Sequence, residues 1–335
     1  MTKDLTQGNL LKNIAIFSLP FLLSNFLQTL YGMADLFIVG QYNGSSSISG
    51  VSIGSQVMHM ITVMLVGLSM GIIVMIGRYV GSHNEKAISK IIGNSIVLFS
   101  VLAIILAISL FLLTDTIIAI MATPQEAIPE ATQYLQICFI GIPFIIAYNM
   151  ISSIFRGLGD SKTPMYFIAI ACIANIALDF LFIGTFHFKA VGAALGTICA
   201  QAISVFFSLI AIMKKKLVQI QLTDLKPNKA VLSSILKIGV PVSLQDGFIQ
   251  ISFLIITIIA NSRGVEVSAA VGIVEKIISF LFLVPSAMLS TVSTISAQAI
   301  GAEKKEIAQN VLFTCMKIGI VFGIMVAISF QFYAE

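Results

Sequence analysis

The sequence predicts an all-α polytopic membrane protein of about nine transmembrane helices. Three observations carry that expectation. Of the 335 residues 58% are hydrophobic and only 10% charged, with a mean hydropathy of +1.02, whereas a soluble domain holds roughly 25% charged residues. Apolar runs long enough to cross a hydrocarbon core of about 30 Å, roughly 20 residues each, recur along the whole chain. Lysine and arginine collect in alternate loops, as they do on the cytoplasmic side of a membrane.

The runs lie at 14–39, 51–77, 91–113, 131–155, 164–186, 190–213, 231–260, 268–298 and 307–331, separated by short polar or Gly/Pro-containing stretches. The first follows MTKDLTQGNLLKN. It is too long for a signal-peptide core and has no small-residue cleavage pattern, so it reads as a mature helix. The fifth opens on Pro164, as an N1 proline can. With the amino terminus inside (Lys3, Lys12), the inside loops hold Arg78, Lys86 and Lys90, then Arg156 and Lys162, then Lys214, Lys215, Lys216, Lys226, Lys229 and Lys237, then Lys304 and Lys305. The outside loops hold only Lys189 and Arg263, and 114–130 is acidic with Asp115, Glu126 and Glu130. The net charge of +4 is then a topology signal and no nucleic-acid footprint, and nine spans leave Glu335 outside.

The pattern repeats. LLKNIAIFSLPFLLSN aligns with LSSILKIGVPVSLQD, setting Pro20 against Pro241, and IGRYVGSHNEKA aligns with SAQAIGAEKKEI, setting Gly81 against Gly301. The expected division is a six-helix lobe at 1–213, a basic cytoplasmic linker at 214–230 and an incomplete second lobe of three helices at 231–335. The chain reads as truncated at its C-terminal end, short of about three further helices. Cys138, Cys172, Cys199 and Cys315 all fall inside apolar runs, where packing is their expected role.

An ionisable side chain at a helix centre costs about 2.5–3.5 kcal/mol on insertion scales and normally faces a cavity or a partner. Gln28, Tyr31 and Asp35 share one face of span one, with Pro20 roughly on the same side. Asn175 and Asp179 share a face of span five, while Asn149 and Thr197 stand in spans four and six. Taken singly, Asn149 and Thr197 read as interhelical glue. The two aspartates have no evident Lys or Arg partner at depth in the first six spans. They read as parts of a shared cation site, whose carboxylate, amide and hydroxyl oxygens suit a hard cation and whose crowded acids also favour a proton. In the second half Gln245, Asp246 and Glu275 are polar at depth, with Lys276 placed to neutralise Glu275. Ile256 takes the place of Asp35 in the repeat, so the coupling ion is expected in the first six spans. His59 reads as packed between methionines; neither a metal-ligand spacing such as HExxH nor a phosphate-cradling GxxxxGK[ST] occurs.

RGLGDSKTP, VGAALGT and the paired loops RYVGSHNEKA and SAQAIGAEKK resemble multidrug and toxic compound extrusion (MATE) transporters along essentially the whole chain. The patterns in spans one and five resemble the DinF-like side of that family. The resemblance implies two six-helix lobes that alternate between inward- and outward-facing states, exporting organic cations in exchange for H⁺ or Na⁺. Residue by residue, it implies cation coupling at Asp35, Asn175, Asp179 and Thr197, where Na⁺ has its oxygens, and a surround of Pro20, Gln28, Tyr31 and Asn149. The expected partners are the lipid bilayer of the cell membrane and small organic cations, with no nucleic acid, no obligate protein partner and no cofactor. Three alternatives stand beside it, the first being a non-transporting fragment of such an exporter. A flippase for a lipid-linked anionic head group would need buried Arg or Lys, and spans one to six show two aspartates and no buried arginine. An enzyme would need an acid-base or metal constellation that is not evident.

Overall fold

The computed structural model describes residues 4–215, 221–263 and 265–333. Lys3, Lys216 and Glu335 of the charge pattern, and part of the linker, lie outside the described residues. Among those described there are eleven α-helices and no strand. They are α1 (Leu10–Tyr42), α2 (Ser45–Gly81), α3 (Glu85–Leu112), α4 (Thr114–Ile120), α5 (Ile128–Gly157), α6 (Lys162–Asp179), α7 (Lys189–Lys215), α8 (Lys229–Ser262), α9 (Val265–Leu281), α10 (Leu283–Gly301) and α11 (Lys305–Tyr333). A helix satisfies every backbone group internally, which hydrocarbon demands, and nine spans long and apolar enough to cross a membrane result. The count matches the sequence expectation, while the helices run several residues past the apolar cores. The acidic stretch 114–130 folds in part as the short α4, and the eighth span is two helices, α9 and α10, divided at Phe282.

Local chemistry sets the ends. Asn9 caps α1 by accepting from the Lys12 amide at 3.2 Å, and Asn84 caps α3 by accepting from Ala87 at 3.0 Å. At α6 the side chain of the N-cap residue Ser161 accepts no capping hydrogen bond, and Asp160 just before it does the capping, its Oδ1 accepting from the amides of Lys162 and Thr163 at 3.1 and 3.0 Å. Pro164 is therefore not the first residue of that helix but its third, still within the turn that lacks intrahelical donors.

α5 is the hub, with both faces buried against α2, α3 and α7. Glycines permit the approach: a Cβ on Gly54 would strike the Tyr134 ring, and one on Gly141 would strike Ile198. Outer faces of α3 and α11 carry Ile104, Ile105, Ile108, Ile320 and Ile324 exposed, the apolar surface that a bilayer accepts.

The repeat reappears in backbone geometry. α2 and α10 both end in a left-handed residue, His83 (φ 53) and Glu303 (φ 61). The same closing hydrogen bonds follow, Asn84 to Tyr79 and Lys304 to Ala299. These two helix ends press on each other reciprocally. A Cβ on Gly81 would collide with the Gln298 carbonyl, and one on Gly301 with the Arg78 carbonyl. α2 also packs along α8, where Gly71 meets the Ile235 carbonyl and Gly239 the Leu68 carbonyl. The helices α1–α7 and α8–α11 thus meet most tightly at the end that bears Arg78, Lys304 and Lys305.

Candidate functional site

Three helices converge on Asp35. α1 brings Gln28, Tyr31 and Asp35 on one face; α6 brings Asn175 and Asp179; α7 brings Thr197 and Gln201. The Thr197 hydroxyl donates to Asp35 Oδ2 at 3.1 Å, and Asp179 and Asn175 lie close enough to act on the Asp35 carboxyl directly. Burial is nearly complete: relative exposure is 3% for Asp35, 1% for Asn175 and 0% for Asp179. The approach of α7 depends on Gly196, because a Cβ there would land on Asp179 Oδ1. Asp179 closes the regular part of α6, and Phe180–Thr185 continue as a π-helical turn, a distortion that recurs at functional positions.

The hydrogen-bond ledger of this cluster does not close. Among the described residues no donor reaches Asp35 Oδ1 or either oxygen of Asp179, and neither side-chain polar atom of Asn175 has a partner. Buried polar groups are normally satisfied, and two adjacent carboxylates in a poor dielectric demand compensating positive charge. The arrangement therefore suits a proton shared by the pair, or a small hard cation taking oxygens from Asp35, Asp179, Asn175 and Thr197.

The other residues singled out in the sequence divide. Tyr31 adjoins Asp35, Tyr148 and Gln201. Gln28 is half-buried on the same face, and Pro20 is buried one turn before Ser24, whose hydroxyl donates to the Pro20 carbonyl at 2.8 Å. Asn149 is buried, but its amide donates to the Ile145 carbonyl of its own helix at 2.8 Å, a local contact rather than a bond between helices. Gln245 lines an open groove of about 510 Å³ on α8 with Pro241 and Phe248. Asp246 is half-buried with Oδ2 against Gly67 of α2. Glu275 accepts from Thr257 Oγ1 at 2.5 Å, and among the described residues it makes no ion pair with Lys276, which acts instead on His59. None of these second-half groups belongs to the cluster around Asp35.

Three contributors escaped the sequence reading. Gln201 stands four residues after Thr197, and that spacing would have found it. Gly196 acts through what it lacks. Arg156, expected in an inside loop, is 6% exposed, with its guanidinium 4.3 Å from the centre of the Phe21 ring and Tyr148 near it. The expectation that spans one to six hold no buried arginine is therefore corrected: from the last turn of α5 the Arg156 side chain reaches over the Phe21 ring of α1, and helix C-termini favour a cation.

Nine helical segments long and apolar enough to cross a membrane among the described residues, with a buried, under-satisfied carboxylate cluster between helices, define a polytopic membrane protein of the transporter class. Residues 20–181 and 241–335 match the MatE family, the two segments opening on Pro20 and Pro241. The chain belongs to the MatE family of membrane transporters. It is 34% identical over 298 residues to the probable multidrug resistance protein YpnP of Bacillus subtilis, a match that spans 89% of this chain and 67% of the relative. A transporter of the MOP superfamily from Pyrococcus furiosus superposes with a TM-score of 0.90 at 25% identity, covering 99% of this chain and 74% of that one. A MATE crystal structure in a bent conformation gives a TM-score of 0.89 at 25% identity over 98% of this chain and 74% of the other.

Proposed function

We propose that the protein is a secondary active exporter of organic cations, acting in the cell membrane by alternating access and driven by inward movement of H⁺ or Na⁺ through the Asp35 cluster. The observation that carries this reading is the set of unpartnered atoms on Asp35, Asn175 and Asp179, all nearly fully buried. An acid pair of that kind holds a proton or cation well and releases it when water enters, which is what coupling requires. The relative YpnP, named a probable multidrug resistance protein, supports drugs as cargo. A six-helix first lobe at 1–213, the linker 214–230 and a second lobe from 231 onward, with the amino terminus cytoplasmic, complete the picture. No enzymatic step, nucleic acid, protein partner or cofactor enters it.

The head-group flippase is the second reading. Arg156 gives it one buried cation, but that guanidinium lies against Phe21 and two carboxylates dominate the interior. The deciding experiment measures H⁺ and Na⁺ binding to the purified protein. Asp35→Asn and Asp179→Asn are expected to abolish it and Asp246→Asn to preserve it. Loss of binding in Asp246→Asn alone overturns the assignment.

A further inference from the structure

The end of the bundle that carries the basic loops is fastened by two short segments, each leading into the first helix of one half. Residues 4–7, ahead of α1, lie against α10 and α11. The Leu5 amide donates to Gln298 Oε1 at 3.0 Å, Lys304 Nζ donates to Thr6 Oγ1 at 3.1 Å, and the Leu5 side chain packs with Ile295, Val311 and Cys315. Leu5 is 1% exposed and Gln298 0%. The segment is itself folded: Asp4 accepts from the Thr6 amide and hydroxyl at 2.8 and 2.6 Å, while Asn13 Nδ2 donates to the carbonyls of Leu5 and Gln7 at 3.0 and 2.7 Å. Burial pushes the Asp4 carboxyl up, but the donors on Thr6 and Gln7 and the nearby Lys304 outweigh it and hold Asp4 below the ordinary carboxylate range.

Residues 221–228, ahead of α8, do the same against α3. The Asn228 amide donates to Asn94 Oδ1 at 2.6 Å, Asn94 Nδ2 donates to the Asp224 carbonyl at 3.3 Å, and the Asp224 carbonyl fills the space where Gly93 lacks a Cβ. Asn94 is fully buried. Each segment ends on the asparagine that caps its helix, Asn9 for α1 and Asn228 for α8. The helices that the two segments lead into, α1 and α8, are paired by the repeat that relates Gly81 to Gly301, while Gln298 and Asn94, which hold the segments, sit at different places in it.

We propose that these segments are two straps of a reciprocal clasp that holds the basic end of the transporter closed, with Gln298 and Asn94 as the polar keepers, and that both release before that end opens. The proposal rests on the alternating-access reading above. Contacts made only in the closed state bias the equilibrium towards it by their own free energy. The first strap is held by Gln298, whose carbonyl presses on Gly81 at the seam between the halves, and the second ties the segment that leads into α8 to α3 of the first half, so parting the halves strains both.

The test uses the membrane-embedded chain with its four native cysteines replaced by alanine and Thr294→Cys introduced. Thr294 is 0% exposed and its backbone faces Gly77 across the seam. The rate of labelling by N-ethylmaleimide in inside-out vesicles, with and without Na⁺ and at acidic and alkaline pH, reports opening. Leu5→Ala and Asn94→Ala are each expected to raise that rate about tenfold, the equivalent of ~1.4 kcal/mol, while Leu5→Met stays at the parental rate. Should Leu5→Ala fail to reach the membrane, Lys304→Met removes the Thr6 hydrogen bond and the charge beside Asp4 while leaving the Leu5 packing intact, and is expected to raise the rate as well. Labelling that responds to the ions but is unchanged by either strap variant overturns the clasp and leaves alternating access standing. Labelling that no ion condition changes, in the parent as in the variants, overturns alternating access at this end and the clasp with it.

Discussion

At Asp179 the chemistry turns on a missing atom next door, since Oδ1 occupies the space that a Cβ on Gly196 would take. Gly196→Ala is expected to displace the carboxylate and weaken ion binding at least about tenfold, the equivalent of ~1.4 kcal/mol, with expression retained; isothermal titration with Na⁺ and proton-release measurements check it. Arg156 makes a different case. A buried guanidinium against one aromatic ring, with Nε unpartnered, contributes little net stability, because desolvation offsets the attraction. Arg156→Met is therefore expected to leave thermal stability within about 1 kcal/mol of the parent. Phe21→Ala, which opens a cavity beneath the same cation, is expected to cost about 3–5 kcal/mol, read as a shift of the unfolding midpoint in detergent. Asn149 shows how far spacing alone carries at this scale. Its side chain satisfies itself on Ile145, and no residue type reveals in advance whether an amide turns inward along its helix or across to the next.

Helices pack here through small residues at defined crossings. α2 meets α10 at Gly81 and Gly301 and meets α8 at Gly71 and Gly239, each against a backbone carbonyl that cannot move aside. Gly81→Ala and Gly301→Ala are each expected to destabilise by about 1–3 kcal/mol through overpacking. Gly319→Ala and Gly323→Ala in α11, where nothing stands within 4 Å of the added carbon, are expected to be neutral or stabilising by about 0.5–1 kcal/mol. Thermal unfolding of the four variants side by side checks the contrast, and equal losses in all four would refute the seam as the constraint. The helix ends follow the same logic of local satisfaction. Pro164 suggested a start for α6, but Asp160 supplies the acceptors the first turn needs, so the helix begins two residues earlier.

For the whole molecule, the asymmetry of charge predicts which end faces the cytoplasm. A cysteine placed at Lys86 or Lys162 is expected to react only from the cytoplasmic side and one at Lys189 only from outside; labelling of intact cells with an impermeant maleimide checks both, and external reaction at Lys86 reverses the orientation. What the sequence determined by itself was the kind of molecule and its periodic frame. Composition and run length decide that a chain crosses a bilayer, because each span solves its backbone hydrogen bonding alone. The repeat, the alternation of Lys and Arg and the shared face of Gln28, Tyr31 and Asp35 are likewise properties of order along the chain. Tertiary structure decided what lies beside each face. That α6 and α7 bring Asp179 and Thr197 to Asp35, that Arg156 is drawn under Phe21 instead of facing water, that Glu275 bonds Thr257 in place of Lys276, and that residues 4–7 reach across to Gln298 all depend on helix-to-helix distance. Helical periodicity fixes the direction in which a side chain leaves its own axis, but the neighbour it meets is set by close packing between segments that can lie hundreds of residues apart.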